Sequence, residues 1–228
     1  MSTIIITSVI HPTNNPLNYT PTRSVFDVDS RLKQTIETIM SIKKMLPTFK
    51  VVLADCSAFD WISVNGDEIR KVLGDKDEFI DLSSSAEVAK WVHSPNKSAG
   101  EAFILHEVVS TLESLNEDIY KISGRYVIDS SFNIERFDMS RDFNVRVIYN
   151  TPWEGSTSIP SFYRASCREK YMDFLNYAKN RYTSGERTSM EKLVYNYVTT
   201  LKPSQYQFFD SPIGIKGRIA VHGNEEIH

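Results

Sequence analysis

The sequence has few cysteines, little net charge and no long apolar run, and each shortage disfavours a class of protein. Its two cysteines, Cys56 and Cys167, form no C-x-x-C pair, which disfavours a zinc site or redox pair and indicates a reducing compartment. The net charge of −3 disfavours a non-specific nucleic-acid binder, because such proteins usually carry a basic excess. Residues 3–10 are apolar but too short for a membrane span, and no basic segment precedes them, so we expect a cytoplasmic protein.

Several catalytic motifs are also missing from the sequence. No G-x-G-x-x-G or G-x-x-x-x-G-K-[ST] is present, which disfavours a dinucleotide oxidoreductase and a P-loop NTPase. No H-E-x-x-H or G-x-S-x-G is present, which disfavours zinc and serine hydrolases. With 41% hydrophobic and 24% charged residues, the composition is that of a globular chain long enough for one sizeable core. We therefore predict one domain over residues 1–228.

The first half of the chain alternates between strand and helix patterns. Short β-branched or apolar runs predict buried strands, and apolar residues at three- to four-residue spacing predict helices packed on a sheet. Such repeats form a parallel half-Rossmann layer, which we expect to bind a nucleotide. The predicted strands are residues 3–10, 50–56, 78–82 and 118–123, and the predicted helices are residues 27–46, 60–73, 86–93 and 101–115.

The alternation stops after Gly124. Strands are predicted at residues 145–150 and 213–221, and helices at residues 166–180 and 189–201. We therefore divide the domain into a nucleotide-sugar-binding half, residues 1–126, and a mixed half, residues 127–228, that carries the acceptor contacts.

Polar side chains follow several of the predicted strands. Ligands of an open α/β sheet bind beyond the carboxyl ends of its strands, and Arg23, Asp55 and Arg125 lie in segments at those ends. Lys97 lies at the start of a predicted helix nearby. Arginine and lysine suit a diphosphate through charge-assisted hydrogen bonds, and Asp55 suits the imino N–H group of a base. Asp55 has a second interpretation as a structural residue of a turn, and Arg23 as a solvated or helix-capping residue.

With these residues in place, the chain resembles a group of small bacterial and viral GT-A-like glycosyltransferases. The resemblance rests on the segment that runs from the first strand to Arg23, on the strand that ends at Asp55, and on residues 96–101, 121–126 and 214–220. It implies an α/β fold, with a GT-A-like half-Rossmann sheet and a mixed C-terminal half. It also implies transfer of a hexosyl or pentosyl group from a nucleoside-diphosphate donor, with a UDP-sugar favoured, in the cytoplasm of a bacterium or an infected cell.

The resemblance also implies site residues. By position, Asp55 contacts the nucleotide base, and the loop and helix before the fourth strand line the donor through Lys97, Gly100 and Glu101. Ser123, Gly124, Arg125 and Tyr126 follow the fourth strand at the donor diphosphate. Gly124 is expected to permit a positive φ angle, which is compatible with a functional turn. Tyr126 either stacks on a base or sugar or belongs to the core.

One departure from the family pattern concerns the metal. Most GT-A enzymes carry Asp-x-Asp after the fourth strand, whereas this chain has Ser123-Gly124-Arg125. Our hypothesis is that Arg125, with Arg23 or Lys97, replaces the metal as the cation that faces the leaving diphosphate. No cofactor is then required. If Mg²⁺ or Mn²⁺ does bind, Asp129 is the ligand we suspect.

An inverting transferase needs a base for the acceptor hydroxyl, and Glu191 and Asp129 are the candidates. Glu191 has a second interpretation, as a first-turn acid favoured by the helix dipole.

The acceptor is either a glycan or a hydroxymethylated base of phage DNA. A DNA acceptor needs a basic face on the protein. The candidate for such a face is the cluster of Lys170, Lys179, Arg181 and Arg187. The alternative interpretation of this cluster is an ordinary solvated surface. A non-catalytic nucleotide-sugar-binding module and a sugar nucleotidyltransferase remain as alternative functions.

Overall fold

The protein is described by a computed structural model that covers residues 2–57, 61–112, 117–151, 155–219, 223 and 225–228. Its strands are β1 Thr3–Ser8, β2 Lys50–Asp55, β3 Glu78–Asp81, β4 Ile119–Ser123, β5 Tyr126–Ile128, β6 Phe143–Thr151, β7 Gly155–Ala165, β8 Tyr206–Phe209, β9 Ile215–Arg218 and β10 Glu225–Ile227. Its α-helices are α1 Val28–Met45, α2 Trp61–Val72, α3 Ala86–Val92, α4 Lys97–Thr111, α5 Arg168–Thr183 and α6 Met190–Val198.

The strands form a seven-stranded sheet in the order β3-β2-β1-β4-β7-β6-β8 and a small sheet in the order β10-β9-β5. In the large sheet β1 pairs in parallel with β2 and β4, so that Ser8 lies opposite Asp55 and Thr7 opposite Ser123. The carboxyl ends of these three strands therefore lie side by side. We call this rim of the sheet the carboxyl edge.

Both faces of the central strands are covered, which explains their continuous apolar sequences. On one face of the sheet, Ile5 and Val52 belong to a hydrophobic core that also contains residues of α3, α4, α5 and α6. Ile4 and Ile6 point to the opposite core, which includes residues of α1 and α2 and aromatic side chains of the second half. The sheet is thus the middle layer of an α/β fold.

Three helices that border the site begin with a side-chain cap. Asp27 accepts from the backbone N–H of Ser30 at 2.8 Å at the start of α1. Asn96 caps α4 and Ser189 caps α6 in the same way. These caps fix where α1, α4 and α6 begin, and so where their first side chains point.

The predicted α/β class is confirmed, and β1 to β4 lie where the sequence placed them to within two residues. Two assignments were wrong in detail: α4 begins at Lys97 rather than residue 101, and β9 covers only Ile215–Arg218. Strand β7 was not predicted, although it pairs with β4 and β6 and joins both halves of the chain into one sheet. Within the described residues, no helix is both long and apolar enough to cross a membrane.

Candidate anion site at the carboxyl edge

Positive side chains converge at the carboxyl edge from three separate elements. Arg31 lies near the start of α1, Lys97 is the first residue of α4, and Arg125 lies in the turn after β4. Each of the three is close enough to the others for their charges to interact, and Arg23 of the loop after β1 also acts on Arg31. We call Arg31, Lys97 and Arg125 the cation cluster. Such a concentration of like charge is characteristic of an anion-binding site.

Arg31 was missed by the sequence reasoning, although it is the most buried member of the cluster, with 7% of its surface exposed. Its Nε donates to the carbonyl of Val9 at 2.7 Å and its Nη1 to the hydroxyl of Ser24 at 3.1 Å. Burial, Arg125 and Arg23 lower the pKa of Arg31 to about 9, so it stays charged at neutral pH. The available signal was its place on the helical stripe with the buried Thr35 and Thr38.

Lys97 lies where the sequence placed it, at the start of a helix beside Arg125. Its side chain is partly buried, and charged groups of α1, α4, α6 and the turn after β4 act on it. Burial lowers the pKa of Lys97 to about 7, with Arg125 as the next cause, whereas Glu101 and Glu191 oppose the change. The charge of Lys97 is therefore sensitive to any anion that enters the cluster.

Two acids border the cation cluster. Glu101, one turn beyond Lys97 on α4, forms an ion pair with Lys121, whose side chain is fully buried in β4. Glu191, in the first turn of α6, acts on Lys97 and on the phenol of Tyr19. The structure thus brings the predicted base candidate Glu191 to the same site as Arg125 and Lys97.

Asp55 has a structural environment, which was one of our two interpretations. It is fully buried, and its Oδ2 accepts from the backbone N–H of Ile10 at 3.0 Å. Its Oδ1 accepts from the backbone N–H of Ser57 at 2.8 Å and from the Ser57 hydroxyl, while burial raises the pKa of Asp55. Because these groups occupy both carboxylate oxygens, Asp55 joins the ends of β1 and β2 rather than facing a base.

Arg23 is likewise engaged by the protein itself. Its Nε donates to the carbonyl of Asn15 at 2.9 Å, its Nη1 to that of Val92 at 2.8 Å, and its Nη2 to that of Ser94. These bonds fasten the loop after β1 to the end of α3. Arg23 therefore has a positioning role in the described structure, and its contact with a diphosphate stays a prediction.

The turn after β4 is shaped by close packing. Gly124 is not one of the positive-φ glycines of the described residues, so the predicted positive φ angle was wrong. A Cβ atom at Gly124 would lie 3.2 Å from the Thr35 hydroxyl and 3.3 Å from Ser8, so glycine allows a close approach. The hydroxyl of Ser123 accepts from Nζ of Lys121 at 2.8 Å.

Two further residues predicted to line the donor belong to the packing. A Cβ atom at Gly100 would lie 2.8 Å from Cα of Val92, so this glycine lets α4 approach the end of α3. Tyr126 is buried, and its ring lies 5.7 Å from the ring of His228. Tyr126 therefore belongs to the core, which was one of our two interpretations.

Asp129 is carried away from the carboxyl edge by β5. The Thr35 hydroxyl donates to the carbonyl of Gly124 at 3.2 Å, whereas the backbone N–H of Ile128 donates to Ser41 at 3.1 Å. The six residues between Thr35 and Ser41 correspond to about 9 Å along α1. Asp129 instead accepts from the N–H and hydroxyl of a nearby serine. Its predicted role as base or metal ligand is not supported by this position.

The residues at the family's metal position do not suit a divalent cation. Mg²⁺ and Mn²⁺ prefer carboxylate and other oxygen ligands, whereas Arg31, Lys97 and Arg125 present positive charge. Among the residues that the structure describes, no three His, Cys, Asp or Glu side chains group together as metal ligands. The donor set at this position therefore favours an anion.

A polar cleft of about 390 Å³ lies beside the cluster. It is lined by the loop after β1 and the start of α1, including His11, Thr13, Arg23 and Phe26. The Nδ1 atom of His11 and the hydroxyl of Thr13 are buried, and in the described structure neither has a hydrogen-bond partner. The cleft can therefore satisfy two polar atoms by binding a hydrogen-bonding ligand.

The basic residues of α5 lie among acids. Lys170 is 3.6 Å from Asp142, Lys179 is 3.6 Å from Glu87, and Arg181 is 2.7 Å from Glu186. Three of the four residues of the predicted DNA-binding face therefore have a neighbouring acid that offsets part of their positive charge.

The sequence matches no protein-family model and no curated protein, but several solved structures have a similar fold. The nucleoside-diphosphate-sugar pyrophosphorylase of Vibrio cholerae RC9 has a TM-score of 0.54 at 8% identity, over 93% of each chain. The galactosyltransferase LgtC, solved with donor and acceptor sugar analogs, has a TM-score of 0.51 at 7% identity, over 93% of this chain and 85% of LgtC.

A third similar structure is the glycosyltransferase GlyE of Streptococcus pneumoniae TIGR4, with a TM-score of 0.51 at 11% identity, over 92% of this chain and 45% of GlyE. At such identities the likeness shows the fold alone. The chain therefore has the GT-A-like α/β fold that its sequence predicted, and it shares this fold with glycosyltransferases and a nucleoside-diphosphate-sugar pyrophosphorylase.

Proposed function

We propose that the protein is a glycosyltransferase that moves a sugar from a nucleoside-diphosphate donor, a UDP-sugar in first place, to a hydroxyl acceptor. The observation that carries this proposal is the convergence of Arg31, Lys97 and Arg125 at the carboxyl edge. In an open α/β sheet this edge is the ligand site, and a diphosphate is the anion that a nucleotide-sugar brings there.

In this proposal the cation cluster takes the place of a divalent metal. Arg125 and Arg31 hold the diphosphate through charge-assisted hydrogen bonds, and Lys97 contributes a third positive group. Positive groups that are already oriented stabilise the charge that develops on the leaving diphosphate. The nucleoside lies in the polar cleft, where His11 and Thr13 offer hydrogen bonds, and Asp55 and Arg23 keep the loop in place.

Glu191 is the proposed base. It faces the cluster from the first turn of α6, whereas Asp129 lies away from it. As the acceptor oxygen bonds to the anomeric carbon, its proton passes to Glu191. The bond from that carbon to the phosphate oxygen breaks, and its electron pair leaves with the diphosphate.

A glycan is the favoured acceptor. The basic face of α5 is paired with acids, which weakens the case for DNA. Tyr19, with 64% of its surface exposed, lies close enough to Glu191 for their charges to interact. An exposed aromatic ring beside a base is suited to hold a sugar ring.

The test is donor turnover with and without metal. Release of nucleoside diphosphate from UDP-, GDP- and dTDP-sugars is measured in EDTA and with Mg²⁺ or Mn²⁺. We expect turnover in EDTA and its loss in Arg125→Ala and Glu191→Gln, with Arg70→Ala, an exposed arginine of α2, as the control. Turnover that requires added metal would contradict the proposal.

A nucleotidyltransferase is the second candidate, because the fold is also that of a pyrophosphorylase. The two reactions differ in the bond that breaks. Adding pyrophosphate to a nucleotide-sugar yields nucleoside triphosphate and sugar phosphate only if the protein transfers a nucleotidyl group. If it forms neither these products nor a nucleoside diphosphate, a non-catalytic binding module is indicated.

A further inference from the structure

Lys121 is fully buried, and the proposed mechanism does not use it. It lies in β4, opposite Tyr163 of β7, and none of its side chain is exposed. Its Nζ forms an ion pair with Glu101 of α4 and donates to the hydroxyl of Ser123 at 2.8 Å. Partners of this kind compensate a buried ammonium for its lost hydration. The fold therefore places an acid, Glu101, where Lys121 requires one.

Glu101 is less buried than its partner, because 20% of its side chain is exposed. Its Oε1 atom, which contacts Lys121, is buried, whereas its Oε2 atom has no hydrogen-bond partner among the described residues. The ion pair holds this carboxylate in place, and so does the close packing of Gly100 against Val92. One carboxylate oxygen thus faces the lysine, and the other is available to a ligand.

The carboxylate of Glu101 belongs to the same site as the cation cluster. Glu101 comes four residues after Lys97 on α4, so both side chains lie on one face of the helix, one turn apart. Ser123, which accepts from the same ammonium, ends β4 at the carboxyl edge, two residues before Arg125. The carboxylate therefore lies beside the groups that we assign to the diphosphate.

A carboxylate at this place opposes the binding of a diphosphate, because like charges repel each other. It suits a different part of the proposed donor, the neutral sugar, whose hydroxyl groups donate to carboxylates in charge-assisted hydrogen bonds. In the proposed reaction the sugar lies between the diphosphate and Glu191. Both Glu191 and Glu101 lie close enough to Lys97 for their charges to interact, so we expect the sugar to be within reach of Glu101.

We propose that Glu101 binds hydroxyl groups of the transferred sugar and that Lys121 is the positioning residue that holds it there. This inference rests on the glycosyltransferase function proposed above. Glu101 accepts the hydrogen bonds through Oε2 while Oε1 stays on Lys121, and neither side chain takes part in a covalent step. The pair selects donors by their sugar, whereas the cation cluster selects them by their diphosphate.

The test compares UDP with UDP-sugars, which carry the same diphosphate. Calorimetry in EDTA gives the dissociation constants of UDP, UDP-glucose, UDP-galactose, UDP-xylose and UDP-N-acetylglucosamine. In Glu101→Gln the tightest UDP-sugar should bind about tenfold more weakly, because a hydrogen bond to a charged acceptor is lost. UDP should bind more tightly, because a negative charge beside the diphosphate is removed. Glu107→Gln removes the same charge about 9 Å farther along α4 and should change neither constant.

Deoxy forms of the tightest UDP-sugar locate the contact. Loss of the hydroxyl group that Glu101 accepts should weaken binding to the wild type about tenfold and have little effect on binding to Glu101→Gln. Lys121→Met keeps the carboxylate but not the ammonium that holds it. It should lose most of this sensitivity to the missing hydroxyl, and it should also bind UDP more weakly, because a positive charge is removed.

Glu101→Gln leaves a buried ammonium with a neutral partner, so the double variant Glu101→Leu with Lys121→Met, which removes both charges, is measured as well. It should be equally insensitive to the missing hydroxyl. If UDP and UDP-sugars weaken alike in Glu101→Gln, or if each deoxy form loses as much affinity in the variants as in the wild type, the inference is overturned and the proposed function stands. If neither UDP nor any nucleotide-sugar binds the wild type, both proposals fail.

Discussion

Replacing Lys97 with methionine should stabilise the free protein below neutral pH. In the folded protein the pKa of Lys97 lies at about 7 rather than 10.5, so the folded state binds protons less readily than the unfolded state. The resulting cost in folding free energy is complete below pH 7, where Lys97 is charged in both the folded and the unfolded state. It decreases as the pH rises from 7 to 10.5. The pKa is lowered from 10.5 to about 7, and each pH unit corresponds to about 1.4 kcal/mol, so the upper limit of this cost is about 5 kcal/mol.

The side chain is partly exposed, and solvent screens its charge, so we expect the variant to gain about 1–2 kcal/mol at pH 6. Urea unfolding at pH 6 and pH 9 measures this gain, which should be smaller at pH 9. Lys33→Met serves as the control, since Lys33 is exposed and its replacement should show no such dependence. A gain that is equal at both pH values, or a loss at pH 6, would refute the electrostatic reasoning.

Three other predictions test parts of the framework. Gly214→Ala should cost at least about 2 kcal/mol of the free energy of unfolding, since φ is +86° and a Cβ would lie 2.3 Å from a neighbouring backbone nitrogen. Gly185→Ala is the comparison, because φ is +94° there but the space is open, and it should cost about 1 kcal/mol. Equal losses of stability in urea unfolding would contradict this prediction. Asp55→Ala should cost about 2–4 kcal/mol, because two backbone N–H groups lose their acceptor, and a smaller loss than in Asp55→Asn would count against it. Lys121→Met should raise the pKa of Lys97, because Glu101 loses its ion pair with Lys121 and then acts on Lys97 alone. A titration of Lys97 by NMR that does not change would contradict this sharing of Glu101.

The sequence predicted the first half of the fold because local patterns determine it. The β-branched run of β1 and the apolar stripe of α1 each indicate one structure, and parallel pairing follows from their alternation. Strand β7 has no such signal: its sequence is rich in serine and contains Pro160, which normally demotes a strand prediction. Its place between β4 and β6 is determined by tertiary pairing, which the local pattern does not contain.

The site was predictable in part for a similar reason. Arg125 and Lys97 follow from position, since they lie at the ends of predicted elements on the ligand-binding side of the sheet. The direction of β5 after the turn does not follow from position, so Asp129 was placed at the site when it lies away from it. Asp55 and Arg23 were chosen by the same positional reasoning, but their hydrogen bonds to the backbone are visible only in three dimensions.

The most direct test of the central claim is nucleotide-sugar binding in the absence of metal. The melting temperatures of the wild type and of Arg125→Ala are measured in EDTA with UDP-, GDP- and dTDP-sugars, and with a CMP-sugar, which has a single phosphate, for comparison. At a hundredfold excess over its dissociation constant, a donor stabilises the wild type by about 2.7 kcal/mol, and we expect this gain to be lost in Arg125→Ala and unchanged by Mg²⁺. A shift that appears only with Mg²⁺, or no shift with any of the three diphosphate sugars, would contradict a diphosphate site built from the cation cluster.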